Sequence, residues 1–246
     1  MALTLNNLKM DIQEDTIIGE LVANDYRAAS VFKKHGIDFC CNGNRTISDA
    51  SSAKVSVAQL MDELNGITTK VSEDNVDYKS WPLDLLADYI EKKHHRYAEA
   101  KITEIKPYLN KIVKVHGQKH PELLKVEELF LASAGELTAH MKKEELMLFP
   151  FIRKMVSAKM NNEPVPTPMF GSVRNPIEMM MKEHTTEGER FVEIAELTDN
   201  YTPPADGCNT YKVTFALLQE FEEDLHKHIH LENNILFAKA IEMEKE

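Results

Sequence analysis

The ten residues from His140 to Phe149 (HMKKEELMLF) constrain this chain most, because they return 88 positions later, from His228 to Phe237 (HIHLENNILF). In each copy a histidine is followed four residues on by a glutamate, then four further by leucine and phenylalanine. Positions i and i+4 share a helix face, so each copy sets an imidazole and a carboxylate at one level above an apolar plug. Phase adds more. Phe130, Leu137, His140, Glu144, Leu148 and Phe151 form one helical stripe, and Phe215, Leu218, Leu225, His228, Glu232 and Leu236 form another. His140, Glu144, His228 and Glu232 therefore point where core residues point. An ionised carboxylate taken out of water without a partner is very costly. A single copy is equally well read as a buried His–Glu hydrogen bond. Two copies in phase with their cores call for a shared positive charge, and a metal ion fits best.

The remaining chain supplies the setting. No stretch alternates with period two, and four long amphipathic segments are expected as helices: about 82–116, 121–157, 175–198 and 209–243. Pro121 and Asn175-Pro176 open two of them, and Gly117, the Pro-rich loop 161–171 and the break 200–207 separate them. Such helices form a bundle with its sites between facing rods. The third segment carries one histidine, His184, on an inward stripe of Ile177, Met180, Met181, Gly188, Phe191 and Ala195. The first offers His94 and His95, and phase does not decide between them. His226 and His230 lie about 200° round the helix from His228 and are expected to face solvent. His35, His116 and His120 sit near turns, outside the stripes. Four histidines and two glutamates without a thiolate suit iron, manganese or zinc. They exceed one tetrahedral zinc site and suit two metals bridged by two carboxylates. The spacing is His-x-x-x-Glu, unlike the Glu-x-x-His of ferritin-like bundles.

Residues 1–70 are expected as a small helical domain, with a polar linker over 71–80 and the bundle over 81–246. In the small domain, segments near 16–22, 26–35 and 56–64 read as helices, the last ended by Asn65-Gly66; Thr46 or Ser48 caps another. Cys40 and Cys41 fall in an expected exposed turn. Adjacent Cα atoms are about 3.8 Å apart, too close for a relaxed disulfide, so a Cys40–Cys41 bond would be strained and easily reduced. Three cysteines make no disulfide framework, and Cys208, alone beside a loop, carries no expected role. The net charge of −11 argues against nucleic acid and anionic membrane surfaces as partners. No apolar run reaches a membrane span, and the first residues lack signal-peptide features. A cytoplasmic location is expected.

With these residues on the page, the order His, His-x-x-x-Glu, His, His-x-x-x-Glu over four helices resembles a hemerythrin-like domain. Nearly all of the chain resembles the ScdA/YtfE-type iron–sulfur cluster repair di-iron proteins. The likeness rests on Asp38-Phe-Cys40-Cys41-Asn-Gly-Asn, on the Val115–Leu123 and His140–Pro150 stretches, on Glu183-His184, and on Leu231–Phe237. Phe237-Ala238 stands where the family commonly has Phe-Pro. The resemblance implies an all-α chain with a small N-terminal helical domain before a hemerythrin-like four-helix bundle. It implies two non-haem iron ions, oxo- and carboxylate-bridged, held by His95, His140, Glu144, His184, His228 and Glu232. The choice of His95 follows from matching Leu86–Ile90 to the family's first helix. It further implies repair of clusters damaged by nitric oxide or oxidants, by iron donation or nitric oxide handling. Damaged iron–sulfur proteins are the expected partners and nitric oxide or oxygen the small ligands. A nitric oxide reductase activity, a sensor or carrier role, and a homodimer stay open. Cys40 and Cys41 are then candidate functional thiols, as a redox pair, an acceptor of iron or nitric oxide, or a client contact. Two structural thiols are the competing reading.

Overall fold

The computed structural model describes residues 12–52, 55–68 and 76–245. Residues 71–75 of the expected linker, and residues 1–11, searched above for signal-peptide features, lie outside them. The chain divides into two compact units, Met1–Ser80 and Trp81–Glu246. Among the described residues there is no strand, only isolated bridges such as Ile17 with Thr46. None of their helices is long and apolar enough to cross a membrane.

The first unit holds α1 (Ile18–Asn24), α2 (Ala28–Lys34), α3 (Ile47–Ala50) and α4 (Val57–Thr68). Gly36, at φ 65°, stops α2: Gly36 N–H reaches the Lys33 carbonyl and Ile37 N–H the Phe32 carbonyl, the paired bonds of a Schellman cap. Thr46 caps α3, its side chain and that of Asp49 exchanging bonds with each other's backbone. The expected stop at Asn65-Gly66 is overturned, since α4 runs through Gly66 to Thr68. A helical glycine costs only about 1 kcal/mol, and the buried Leu60 and Leu64 hold the helix in place.

The second unit is built from four rods. The first is α5 (Leu83–Tyr89), a π-helical turn (Ile90–His95) and α6 (Arg96–His116). The second is α7 (Glu122–Lys143), a π turn (Glu144–Leu148) and α8 (Phe149–Met160). The third is α9 (Arg174–Leu197). The fourth is α10 (Asn209–Leu231), a π turn (Glu232–Leu236) and α11 (Phe237–Met243). Because α6 packs on α7 and α10, and α9 on α7 and α10, the rods close around one core. Both motif stripes are buried as their phase requires. The α9 stripe is corrected: Met181 is exposed, and the buried line runs Ile177, Met180, His184, Glu187, Phe191, Ile194. That line keeps the 3–4 spacing a straight helix needs to face one core.

Candidate metal centre

The three π turns place the site. His95 ends the first, Glu144 opens the second, and Glu232 opens the third. Each of the last two is wide because the N–H five residues on, at Phe149 or Phe237, bonds the glutamate's carbonyl. Such turns gather at functional sites. Here they bring consecutive side chains, Glu144 with Glu145 and Glu232 with Asn233, out of solvent together.

His95, His140, Glu144, His184, His228 and Glu232 all meet in the bundle interior, none more than 3 % exposed. They fall into two overlapping groups of possible ligands, His95/Glu144/His228/Glu232 and His140/Glu144/His184/Glu232, which share both carboxylates. Glu144 Oε2 lies 3.4 Å from His95 Nε2 and 3.3 Å from His140 Nε2. Glu232 Oε1 lies 2.9 Å from His228 Nε2 and 3.8 Å from His95 Nε2, and its Oε2 is 3.2 Å from His184 Nε2. The Nε2 atoms of His140 and His184 stand 3.0 Å apart.

The outer atoms of three of these rings are held. Nδ1 of His95 donates to Glu145 at 3.0 Å, that of His140 to Glu183 at 2.7 Å, and that of His184 to the Asn233 carbonyl oxygen at 2.8 Å. A carboxylate accepts only, so Nδ1 carries the proton and Nε2 is left as the ligand atom. Phe149 stacks on His95 at 5.6 Å and Phe237 on His184 at 6.0 Å. A cavity of about 260 Å³ borders His140, His184 and His228 and is flanked by Glu136, Lys143, Glu183 and Glu187.

The donor set fits a metal ion. His95 Nε2, both Glu144 oxygens and Glu232 Oε2 are buried without a hydrogen-bond partner, an arrangement too costly to keep unless something cationic satisfies it. The titration behaviour points the same way. Burial pushes the pKa of His95 down, but Glu144 and Glu232 outweigh it and lift it to about 10. Burial likewise opposes, and Glu144 and Glu183 overcome, a rise of His140 to about 10. Burial and Glu232 raise the Glu144 carboxyl, yet His140 and His95 bring it below its usual value. Burial raises Glu232 as well, and His228, His184 and His95 drive it well below. Burial lowers His228 despite Glu232. With no metal, protons on two imidazoles balance two buried carboxylates.

Several expectations need correction or completion. His230 is buried, at 1 % exposure, and bonded to Asn234, whereas sequence phase sends it to solvent. Residues 228–233 are buried without a break, because the fourth rod is covered on several sides by the first and third rods. His94 is buried beside His95 but belongs to neither ligand group. His35, His116 and His120 lie elsewhere, on Glu63, Cys208 and Asp206 respectively. The sequence reading missed Glu145, Glu183 and Asn233 as supports. A usable signal existed, since an acceptor side chain follows the glutamate in both copies and precedes His184. It also missed the buried Glu187, which accepts from Ser133 at 2.6 Å and pairs with Arg190.

The cysteine turn in the first unit differs from its expected exposed form: Cys40 is buried and Cys41 half-buried. Asp38 Oδ1 accepts the backbone N–H groups of Cys40 at 3.0 Å and Cys41 at 2.9 Å, which folds the turn inward. The two sulfurs are 3.8 Å apart. Cys41, burial and Asp38 push the Cys40 thiol well above its usual pKa, so it stays protonated at neutral pH. Asp38, Cys40 and Cys41 bring three ligand-type atoms within 4.8 Å of one another. Cys208 is exposed with its sulfur 3.3 Å from His116 Nε2, and that bond, helped by the Tyr211 N–H, lowers its pKa to about 7.

A four-rod bundle with a buried His/Glu centre defines a hemerythrin-like cation-binding protein, and residues 86–240 match the Hemerythrin HHE cation binding domain. Residues 14–68 match ScdA_N, a domain of unknown function (DUF542). The iron-sulfur cluster repair protein YtfE of Yersinia pestis is 32% identical over 235 residues, covering 94% of this chain and 99% of that protein. The iron-sulfur cluster repair protein ScdA of Staphylococcus haemolyticus is 30% identical over 229 residues, 93% of this chain and 99% of its own. The chain belongs to this ScdA/YtfE family of iron–sulfur cluster repair proteins.

Proposed function

We propose that this protein repairs iron–sulfur clusters damaged by nitric oxide or oxidants, acting in the cytoplasm through a carboxylate-bridged non-haem di-iron centre. The observation that carries this reading is the pair of ligand groups sharing Glu144 and Glu232. One iron would take His95 and His228, the other His140 and His184, and both glutamates would bridge. Bound iron would supply exchangeable metal and a place for nitric oxide or oxygen to bind. The protein's own side chains do the rest. Glu145, Glu183 and Asn233 aim three imidazoles. Leu148, Phe149, Leu236 and Phe237, all buried, keep water from one end. His95 and His140 surrender protons as metal enters, which ties loading to pH. Residues 1–70 act as a second domain whose Asp38, Cys40 and Cys41 receive iron, Cys40 giving up its thiol proton as the metal binds.

Repair is favoured over a sensor or carrier role because the relatives matched over nearly their whole length are iron-sulfur cluster repair proteins. The test is iron per chain with Mössbauer spectroscopy, on wild type and Glu144→Ala, followed by reactivation of a nitric oxide-damaged iron–sulfur enzyme. Two coupled irons, a loss in the variant, and reactivation that fails without iron are expected. Zero or one iron, unchanged in Glu144→Ala, overturns the ligand assignment; a full centre without reactivation leaves the sensor or carrier. Cys40→Ser with Cys41→Ser should slow reactivation at unchanged iron content, and no change removes the thiol role.

A further inference from the structure

Among the described residues, the wiring that presents a ligand nitrogen in the centre recurs outside it, at His94. His94 is 1 % exposed, and its Nδ1 donates to Asp224 at 3.0 Å, as the Nδ1 atoms of His95 and His140 donate to Glu145 and Glu183. Its Nε2 is buried with no hydrogen-bond partner. The ring lies nearly parallel to His228, 5.7 Å away and 14° off, and Tyr89 stands 5.5 Å from it at 76°. An imidazole with one nitrogen fixed by a carboxylate and the other buried and bare is the usual presentation of a metal ligand.

Asp224 belongs to a ladder. Glu220, Asp224, His228 and Glu232 follow one another at intervals of four along the fourth rod, so their side chains form one continuous ridge. Exposure falls along it, from 55 % at Glu220 to 18 % at Asp224 and zero at Glu232. Glu104, on α6, joins the outer end, where Lys101 pairs with both Glu104 and Glu220. Hard carboxylate oxygens outside, a mixed carboxylate–imidazole step, then the centre: this sequence of donors suits a divalent transition-metal ion changing ligands stepwise.

We propose that the α6–α10 seam is a track for ferrous iron, with His94 as the relay ligand between Asp224 at the surface and His228 at the centre. The inference rests on the di-iron reading above. No electron is transferred. An incoming ion exchanges water for Glu220 and Asp224, then for His94 Nε2, then for the ligands of the centre, and an outgoing ion reverses the order. Lys101 opposes entry by occupying Glu220 and Glu104.

The test follows iron leaving the fully loaded, full-length protein to a ferrous chelator, with iron content and Mössbauer spectrum recorded for each variant. His94→Phe keeps the ring and removes both nitrogens. It should hold two irons with an unchanged spectrum and release them roughly tenfold more slowly. Asp224→Asn and Glu220→Gln should slow release by smaller factors, and Lys101→Gln should hasten it. If His94→Phe loads poorly, the three outer variants decide. Release as fast as wild type in Asp224→Asn and Glu220→Gln, with Lys101→Gln also unchanged, overturns the track while leaving the di-iron centre standing. Wild type that holds no iron overturns the centre itself, and the track with it.

Discussion

The two His-x-x-x-Glu copies do the same work with different chemistry. In each, the glutamate opens a π turn, the next residue supports a histidine on another rod, and the phenylalanine five positions after the glutamate stacks on that same histidine. The first copy serves His95 with Glu145 and Phe149; the second serves His184 with Asn233 and Phe237. The supports differ in charge. Glu145 is itself clamped by Arg96 and Lys142, while Asn233 is a neutral amide. The bridging glutamates differ too, since Glu144 faces two imidazoles within 4 Å and Glu232 faces three. A repeated motif thus fixes geometry twice and leaves each half free to set its own electrostatics.

Removing the bridges should break the symmetry most. Glu232→Ala strips a partner from His95, His184 and His228 together, so it is expected to lose both irons. Glu144→Ala, which leaves Glu232 between the two groups, is expected to lose less. Metal analysis after gel filtration reads the difference. Equal losses would mean the two copies share the load evenly and the extra contact of Glu232 counts for nothing.

Next in size is the effect of pH. His95 and His140 titrate near 10 in the metal-free fold, against about 6.5 in an unfolded chain. Their protonation stabilises the metal-free protein fully below about 6.5, and this contribution is lost as pH rises through about 10. Metal must displace the same protons, so iron affinity should climb with pH over that range, with proton release on loading. Metal-free Tm against pH, beside proton release by calorimetry in two buffers, checks both signs. A metal-free Tm that stays level through pH 10 would place the charge balance elsewhere.

The supports come third. Glu145→Gln makes the first copy resemble the second, and should weaken iron binding roughly tenfold through a less basic His95. Asn233→Asp makes the second copy resemble the first and should tighten binding by a smaller factor. Chelator competition measures both. Changes in the same direction would show that position, and not charge, is what the residue after the glutamate provides.

What could be read from sequence follows the physics of burial. His140, Glu144, His228 and Glu232 were legible because a carboxylate in phase with an apolar stripe is a contradiction that only a partner resolves, and His184 followed from its own inward stripe. His94 and His95 were not separable by phase, because a π turn spans both and the 100° wheel fails across it. His230 was misplaced for a related reason: the wheel assumes a solvent face, and the fourth rod has none between His228 and Asn233. Cys40 was put outside because turn residues say where the chain bends, not which side faces in. That side is set by Asp38 accepting two backbone N–H groups. Cys208 looked isolated because His116, its partner, is 92 residues away in the chain.

The smallest effect concerns what makes the turns wide. Pro150 follows Phe149 in the first copy, and proline removes a helix hydrogen bond and crowds the carbonyl four residues back, which would seem cause enough for a π turn there. The second copy has Ala238 at the matching place and makes the same turn, with the Phe237 N–H on the Glu232 carbonyl. Proline is therefore not needed. What the copies share is a buried glutamate whose side chain is pulled inward together with its neighbour, and inward pull on two consecutive residues is what a regular helix cannot supply. Pro150→Ala should accordingly keep two irons and change stability by less than about 1 kcal/mol, a Tm shift below about 4 °C. Loss of an iron, or of the coupled spectrum, in Pro150→Ala would show that the first copy depends on its proline, and that the two turns, alike in shape, have different causes.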